Sequence, residues 1–165
     1  MKLRRLLRHL LASPLGARRQ FPAATLQAIE SAVRESEARH SGEIRFALET
    51  ALPLDALLRG QSARERALEV FAQLRVWDTE RNNGVLIYLL LADHDVEIVA
   101  DRGIHAKVGA AGWEAVCRRM EAEFRAGRFE AGALAGIEAA GELLQQHFPA
   151  VAGDRNELPN RPTVL

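Results

Sequence analysis

Carboxylates gather where this chain turns. Asp78 and Glu80 stand just ahead of the apolar run at residues 85–92, Asp93 and Asp95 flank His94 directly after it, and Asp101 closes the β-rich stretch 96–100. Hard cations such as calcium and magnesium take several oxygen ligands, and acidic side chains converging from separate loops supply them. The two apolar stretches read as an antiparallel hairpin, whose turn lies at the opposite end from the start of its first strand and the end of its second. Asp78, Glu80 and Asp101 therefore form one candidate metal group, and Asp93 with Asp95 a second. The plainer reading of the same residues is turns and caps, where Asp is common in any protein.

Arg102 and His105 follow at a predicted helix start, where backbone N–H groups and a guanidinium suit an anion. Phosphoryl transfer needs more than this, and the usual signals are missing. There is no Gly-rich loop with Lys-Ser/Thr, no Gly-x-Gly-x-x-Gly after a strand and no Gly-x-Ser-x-Gly elbow, so no organic cofactor is expected. Cys117 has Glu123, not Arg, six positions on, and shares a helical face with Trp113 and Met120, which predicts a core thiol. His40, His94 and His147 lack zinc-ligand spacing and read as surface residues.

The elements that must position these groups follow from periodicity. Leu26, Ile29 and Val33 form a helical stripe after Pro22, and Ser41-Gly42 stops it. Residues 43–50 alternate, with Ile44, Phe46 and Leu48 on one side and Arg45 and Glu49 on the other, as in a half-buried strand. Ser62 with Glu65 makes a capping box ahead of a second helix carrying Ala63, Ala67, Val70, Phe71 and Leu74. The run 85–92 is nearly all apolar, which predicts a central strand covered on both faces and parallel to the first. Two more core helices follow, the first through Trp113, Val116, Met120 and Phe124, the second through Leu134, Ile137 and Leu144. On the second, Gly132, Gly136 and Ala140 are spaced to approach the sheet closely. The fold class is α/β, a three-layer α/β/α sandwich with a small mixed sheet. Residues 1–20 are expected to form a basic amphipathic helix, 21–149 the domain, and 150–165 a flexible tail.

Charge narrows the partners. Lys plus Arg equal Asp plus Glu at 22 each over 165 residues, which removes the overall positive field that nucleic-acid binding uses. Residues 1–29, however, hold six bases and no acid. Leu3, Leu6, Leu7, Leu10 and Leu11 recur on one helical face among Lys2, Arg4, Arg5 and Arg8, a pattern that suits contact with a membrane surface or a protein partner, or leucines packed on the chain's own domain. Arg8 and His9 split the apolar run, so no cleaved signal is expected, and no stretch of about 18 apolar residues spans a bilayer. The expected location is the cytoplasm, peripheral to the membrane.

The stretch Trp77-Asp78-Thr79-Glu80-Arg81-Asn82-Asn83-Gly84 running into Val85-Leu86-Ile87-Tyr88, with Asp95-Val96-Glu97-Ile98-Val99-Ala100-Asp101-Arg102-Gly103-Ile104 after it, resembles the TPM domain. Gly42-Glu43-Ile44-Arg45 upstream and Phe124, Gly127 and Phe129 downstream agree in order, so the likeness covers roughly residues 25–148. It implies the same Rossmann-like α/β/α sandwich, a divalent cation bound by acidic loop residues, and the weak acid phosphatase activity attached to one branch. The chain departs from the common pattern in carrying Arg19-Gln20-Phe21-Pro22 where an Asp-containing first strand would stand, and in having no following membrane helix. The expected role is a non-catalytic binding or accessory module near the membrane or with a protein partner. The alternative is a metal-dependent phosphatase-like hydrolase.

Overall fold

Alternation along the apolar run decides the architecture. In the computed structural model, which describes residues 3–165, Gly84–Leu90 form the strand β2, central in a sheet of order β3-β2-β1-β4. Its neighbours are β1 (Glu43–Glu49), parallel to it, and β3 (Asp95–Ala100), antiparallel through a short 3-10 turn at Leu91–Asp93. Val85, Ile87 and Leu89 point to one face and Leu86, Tyr88 and Leu90 to the other, and none is more than 2% exposed. Each aliphatic side chain so buried contributes about 1.5–3 kcal/mol.

Helices cover both faces. Against the first face lie α3 (Ala23–Glu37), α6 (Arg102–Arg125) and α7 (Phe129–His147), contributing Ile29, Val33, Ile104, Trp113, Met120, Ile137 and Leu144. Against the second lie α4 (Leu54–Leu58) and α5 (Ala63–Gln73), with Ala56, Leu57, Ala63, Ala67 and Val70. The capping box forms as its spacing predicts, Ser62 Oγ accepting the Glu65 N–H while the Glu65 carboxylate accepts the Ser62 N–H. Two shorter helices, α1 (Leu3–Leu11) and α2 (Pro14–Gln20), precede α3. Lys2 lies outside the described residues.

Three expectations change. The first strand is buried along its whole length, because its polar side is covered too. Arg66 holds the Glu49 carboxylate with two bonds, at 2.9 and 3.0 Å, and Tyr88 donates its hydroxyl to the same carboxylate at 2.6 Å, a satisfied network under α5. The chain's end is no loose tail. Thr163–Val164 form β4, parallel to β1 at the sheet edge, and Leu158 is buried against the second core. Pro159 and Pro162 break regular structure without freeing the backbone, since proline also lowers the entropy lost on docking. Finally, the small residues of α7 approach helices rather than the sheet. A Cβ on Gly136 would collide with Met120 Sδ of α6, and one on Gly141 with Ser36 Oγ of α3.

Candidate functional site

At the hairpin turn, Asp93 gathers cations rather than sharing one with Asp95. Its carboxylate takes Arg5 Nε at 2.8 Å and Arg8 Nη2 at 3.0 Å, and His9 Nε2 lies 3.1 Å away. His9 is itself buried, and its Nδ1 accepts the Leu52 N–H at 3.0 Å, which leaves the ring proton on Nε2, facing Asp93. Burial alone raises the Asp93 carboxyl, but the bonds from Arg5 and His9 outweigh it and hold the group below its ordinary value. Asp95 goes the other way, raised by burial and by the Asp93 charge. With its oxygens so engaged, Asp93 is a fastener for α1.

This fastening turns the helix over. At 100° per residue, Arg5, Leu6 and His9 lie on one side of α1, and that is the side against the body. The other side carries Leu3, Leu7, Leu10 and Leu11, exposed at 68%, 47%, 59% and 79%. Leu15 on α2 is 68% exposed, opposite buried Ala17 and between exposed Arg18 and Arg19. Of the five leucines of α1, Leu6 packs against the second core, while Leu3, Leu7, Leu10 and Leu11 do not. Of the four bases expected at a contact surface, Arg4 is exposed, Arg8 is half-exposed while bound to Asp93, Arg5 is turned inward, and Lys2 lies outside the described residues.

The opposite end of the sheet holds Asp78, Glu80 and Asp101, and they do not converge. Asp78 pairs with Arg75 at 2.7 Å, and Glu80 is exposed, its N–H donated to Glu157. Asp101 caps α6, Oδ1 accepting the Arg102 N–H at 2.7 Å. Two oxygens here are buried without a protein partner, Asp101 Oδ2 and Asn83 Oδ1, while Asn83 Nδ2 donates to the Ser41 carbonyl at 2.7 Å. These are cation-seeking atoms, yet calcium takes six to eight oxygens. Among the described residues no three His, Cys, Asp or Glu side chains are grouped to hold a metal. The donors present do not fit a calcium site. Arg102 and His105 are both exposed on the first turn of α6, and His105 faces a hollow of about 280 Å³ shared with Arg64, Glu97 and Cys117. Burial, then the charges of Glu97 and Glu121, push the Cys117 thiol up to about 12, which disfavours the thiolate.

A third cluster was not visible in the sequence. Glu37, His40 and Glu43 line a cleft of about 470 Å³ closed by Asp154, Asn156 and Asn160 of the C-terminal segment. Glu43 accepts the N–H groups of Glu157 and Leu158 at 2.9 and 3.1 Å, and Glu37 accepts the Ile44 N–H at 3.0 Å and the Asn160 amide. Arg45 reaches the Pro159 and Arg161 carbonyls and the Thr163 hydroxyl. Burial pushes Glu37 up to about 8 and Glu43 up to about 7. His40, expected at the surface, is buried between Ser36 Oγ and the Gly42 backbone, and burial lowers it to about 4. An i, i+3 link between Glu37 and His40 was the only local hint, because the partners come from more than 100 residues away.

Comparison with known proteins agrees with this architecture. The chain matches the TPM domain over residues 19–143. It is similar to the BA42 protein of the psychrophilic bacterium Bizionia argentinensis, solved by NMR, with 35% identity, a TM-score of 0.75, and coverage of 87% of this chain and 94% of that one. The N-terminal domain of a P. gingivalis protein shares the fold at 19% identity and a TM-score of 0.60, covering 78% of this chain and 81% of that one. No curated protein matched. The matched span includes the central strand, the strands on either side of it and the helices of both layers, and on that ground this chain belongs to the TPM domain family.

Proposed function

We propose that this TPM-domain protein is a non-catalytic binding module, an accessory protein that works through its surface against a partner or a membrane. The observation that carries the reading is the outward leucine face of α1, held in place by an ionic fastening on its other side. A helix that served only the fold would bury those leucines, where each would stabilise the core. The acidic residues that metal-assisted chemistry would need are engaged otherwise: Asp93 by α1, Asp78 by Arg75, and Asp101 as a helix cap. Among the described residues no helix is long and apolar enough to cross a membrane, so contact with one would be peripheral.

The rival reading, a metal-dependent phosphatase-like hydrolase, has the unpartnered oxygens of Asn83 and Asp101 in its favour. Incubation with p-nitrophenyl phosphate and calcium, magnesium or manganese separates the two. The binding-module reading expects no turnover above the protein-free rate with any of the three metals. Metal-dependent turnover that Asp101→Ala abolishes would replace it with the hydrolase.

A further inference from the structure

From the composition of this outward face we infer that its occupant is an anionic lipid surface, an inference that rests on the binding-module reading and specifies its partner. The leucines of α1 occupy one side of the helix, and exposed Arg4 and Arg8 flank them. On α2, exposed Arg18 and Arg19 flank Leu15 in the same way. No carboxylate stands in residues 3–29; Arg8 is paired with Asp93, and Arg4, Arg18 and Arg19 carry the cationic border. Apolar side chains that enter the boundary between headgroups and acyl chains, bordered by cations that meet lipid phosphates, are the two components of interfacial helix binding.

The fastening gives the second argument. A free amphipathic helix folds only as it reaches the membrane and loses affinity to that ordering. Here Asp93, by holding Arg5, Arg8 and His9, presets both the helix and the direction of its apolar side before any contact. A second copy of the chain is a poorer occupant. Pairing this face with itself would set Arg4, Arg18 and Arg19 of one copy against the same residues of the other, with no acid in residues 3–29 between them.

The test uses the full-length protein and sedimenting vesicles of phosphatidylcholine alone or mixed equally with phosphatidylglycerol. Partition onto the anionic vesicles should exceed that onto the neutral ones by about tenfold or more and fall with added salt. Leu7→Glu with Leu11→Glu should return it to background while the circular dichroism spectrum stays unchanged, since both side chains are already exposed. Arg18→Glu with Arg19→Glu keeps the leucines and should lower anionic binding by about tenfold, leaving the neutral-vesicle background as it was. Equal binding to both vesicle types, no binding to either, or wild-type binding by the leucine variant would overturn the lipid assignment. So would a wild-type dimer, seen by sedimentation equilibrium, that the leucine variant dissolves. Failure here with no phosphatase turnover removes the lipid and leaves the binding module; metal-dependent turnover removes the module whatever the vesicles show.

Discussion

Both ends of the chain are pinned to the α/β core by buried carboxylates, and the two fastenings are electrically opposite. At the N-terminal end Asp93 faces Arg5, Arg8 and His9, and its partners hold it in the charged form. At the C-terminal end Glu43 and Glu37 face backbone N–H groups and an amide, and burial drives them toward the neutral form. An ion pair holds a helix whose apolar face is left out; Glu43 and Glu37, together with the Arg45 guanidinium, hold the segment that ends in the edge strand. Burial by itself therefore does not decide a carboxylate's charge, which depends on whether a cation is brought to it.

Removing the cation hub should have the largest effect. Asp93→Ala leaves two guanidiniums and a buried imidazole without their acceptor, and should lower stability by about 3 kcal/mol in urea unfolding. Amide hydrogen exchange in residues 3–11 should speed up far more than in β2, because α1 loses its attachment while the core does not. Equal protection of α1 in the variant and the parent would show that the helix is held by something else.

The two ends should part company with pH. The Asp93 carboxyl is depressed in the folded protein, so its contribution is present above the ordinary Asp value of 3.8 and is lost only as pH falls below it. Glu43 and Glu37 are raised from 4.5 to about 7 and about 8, so their contribution is full below 4.5 and fades as pH rises through those values. His40, lowered to about 4 from 6.5, destabilises only as pH falls through that interval. Between pH 6.5 and 8.5 the C-terminal segment should thus loosen while α1 stays fixed, read as falling protection, the exchange rate relative to the unstructured rate at the same pH, at the Leu158 and Leu165 amides. Glu37→Gln should flatten this dependence and gain about 1 kcal/mol over the parent at pH 8.5, with a smaller gain at pH 5.5 and none below 4.5. A parent protein whose C-terminal protection stays constant over that range would rule out the role given to Glu37 and Glu43.

The smallest effect belongs to the outward leucines. Leu7→Gln should change unfolding free energy by less than about 0.5 kcal/mol, whereas Leu89→Ala in the core should cost about 2–5 kcal/mol. A large loss at Leu7 would mean the face contributes to folding and is not reserved for a partner.

How far the sequence could be read divides along the same line. Periodicity identified β2, β3, α3, α5, α6 and α7 but not the short α4, because apolar alternation and capping are local and burial on two faces needs only a continuous apolar run. The separation of Asp93 from Asp101 to opposite ends of the hairpin also followed from local pairing. What was not legible was every contact made across the chain. Nothing near Asp93 shows that Arg5, 88 residues earlier, will reach it, and nothing near Glu43 shows that the Leu158 N–H, 115 residues later, will. The exposed tail composition and the half-polar first strand misled for a related reason: Glu43 and Arg45 of the strand are covered by the C-terminal segment, and Glu49 by Arg66 and Tyr88, partners that lie far off in the chain or on another element.

The direction in which α1 faces is the claim on which the functional account rests, and methyl NMR measures it directly. With leucine methyls labelled and a soluble paramagnetic agent added, Leu7, Leu10 and Leu11 should broaden strongly while Leu86, Leu89 and Leu90 stay sharp. Leu7 and Leu11 methyls as protected as those of Leu89 would contradict it.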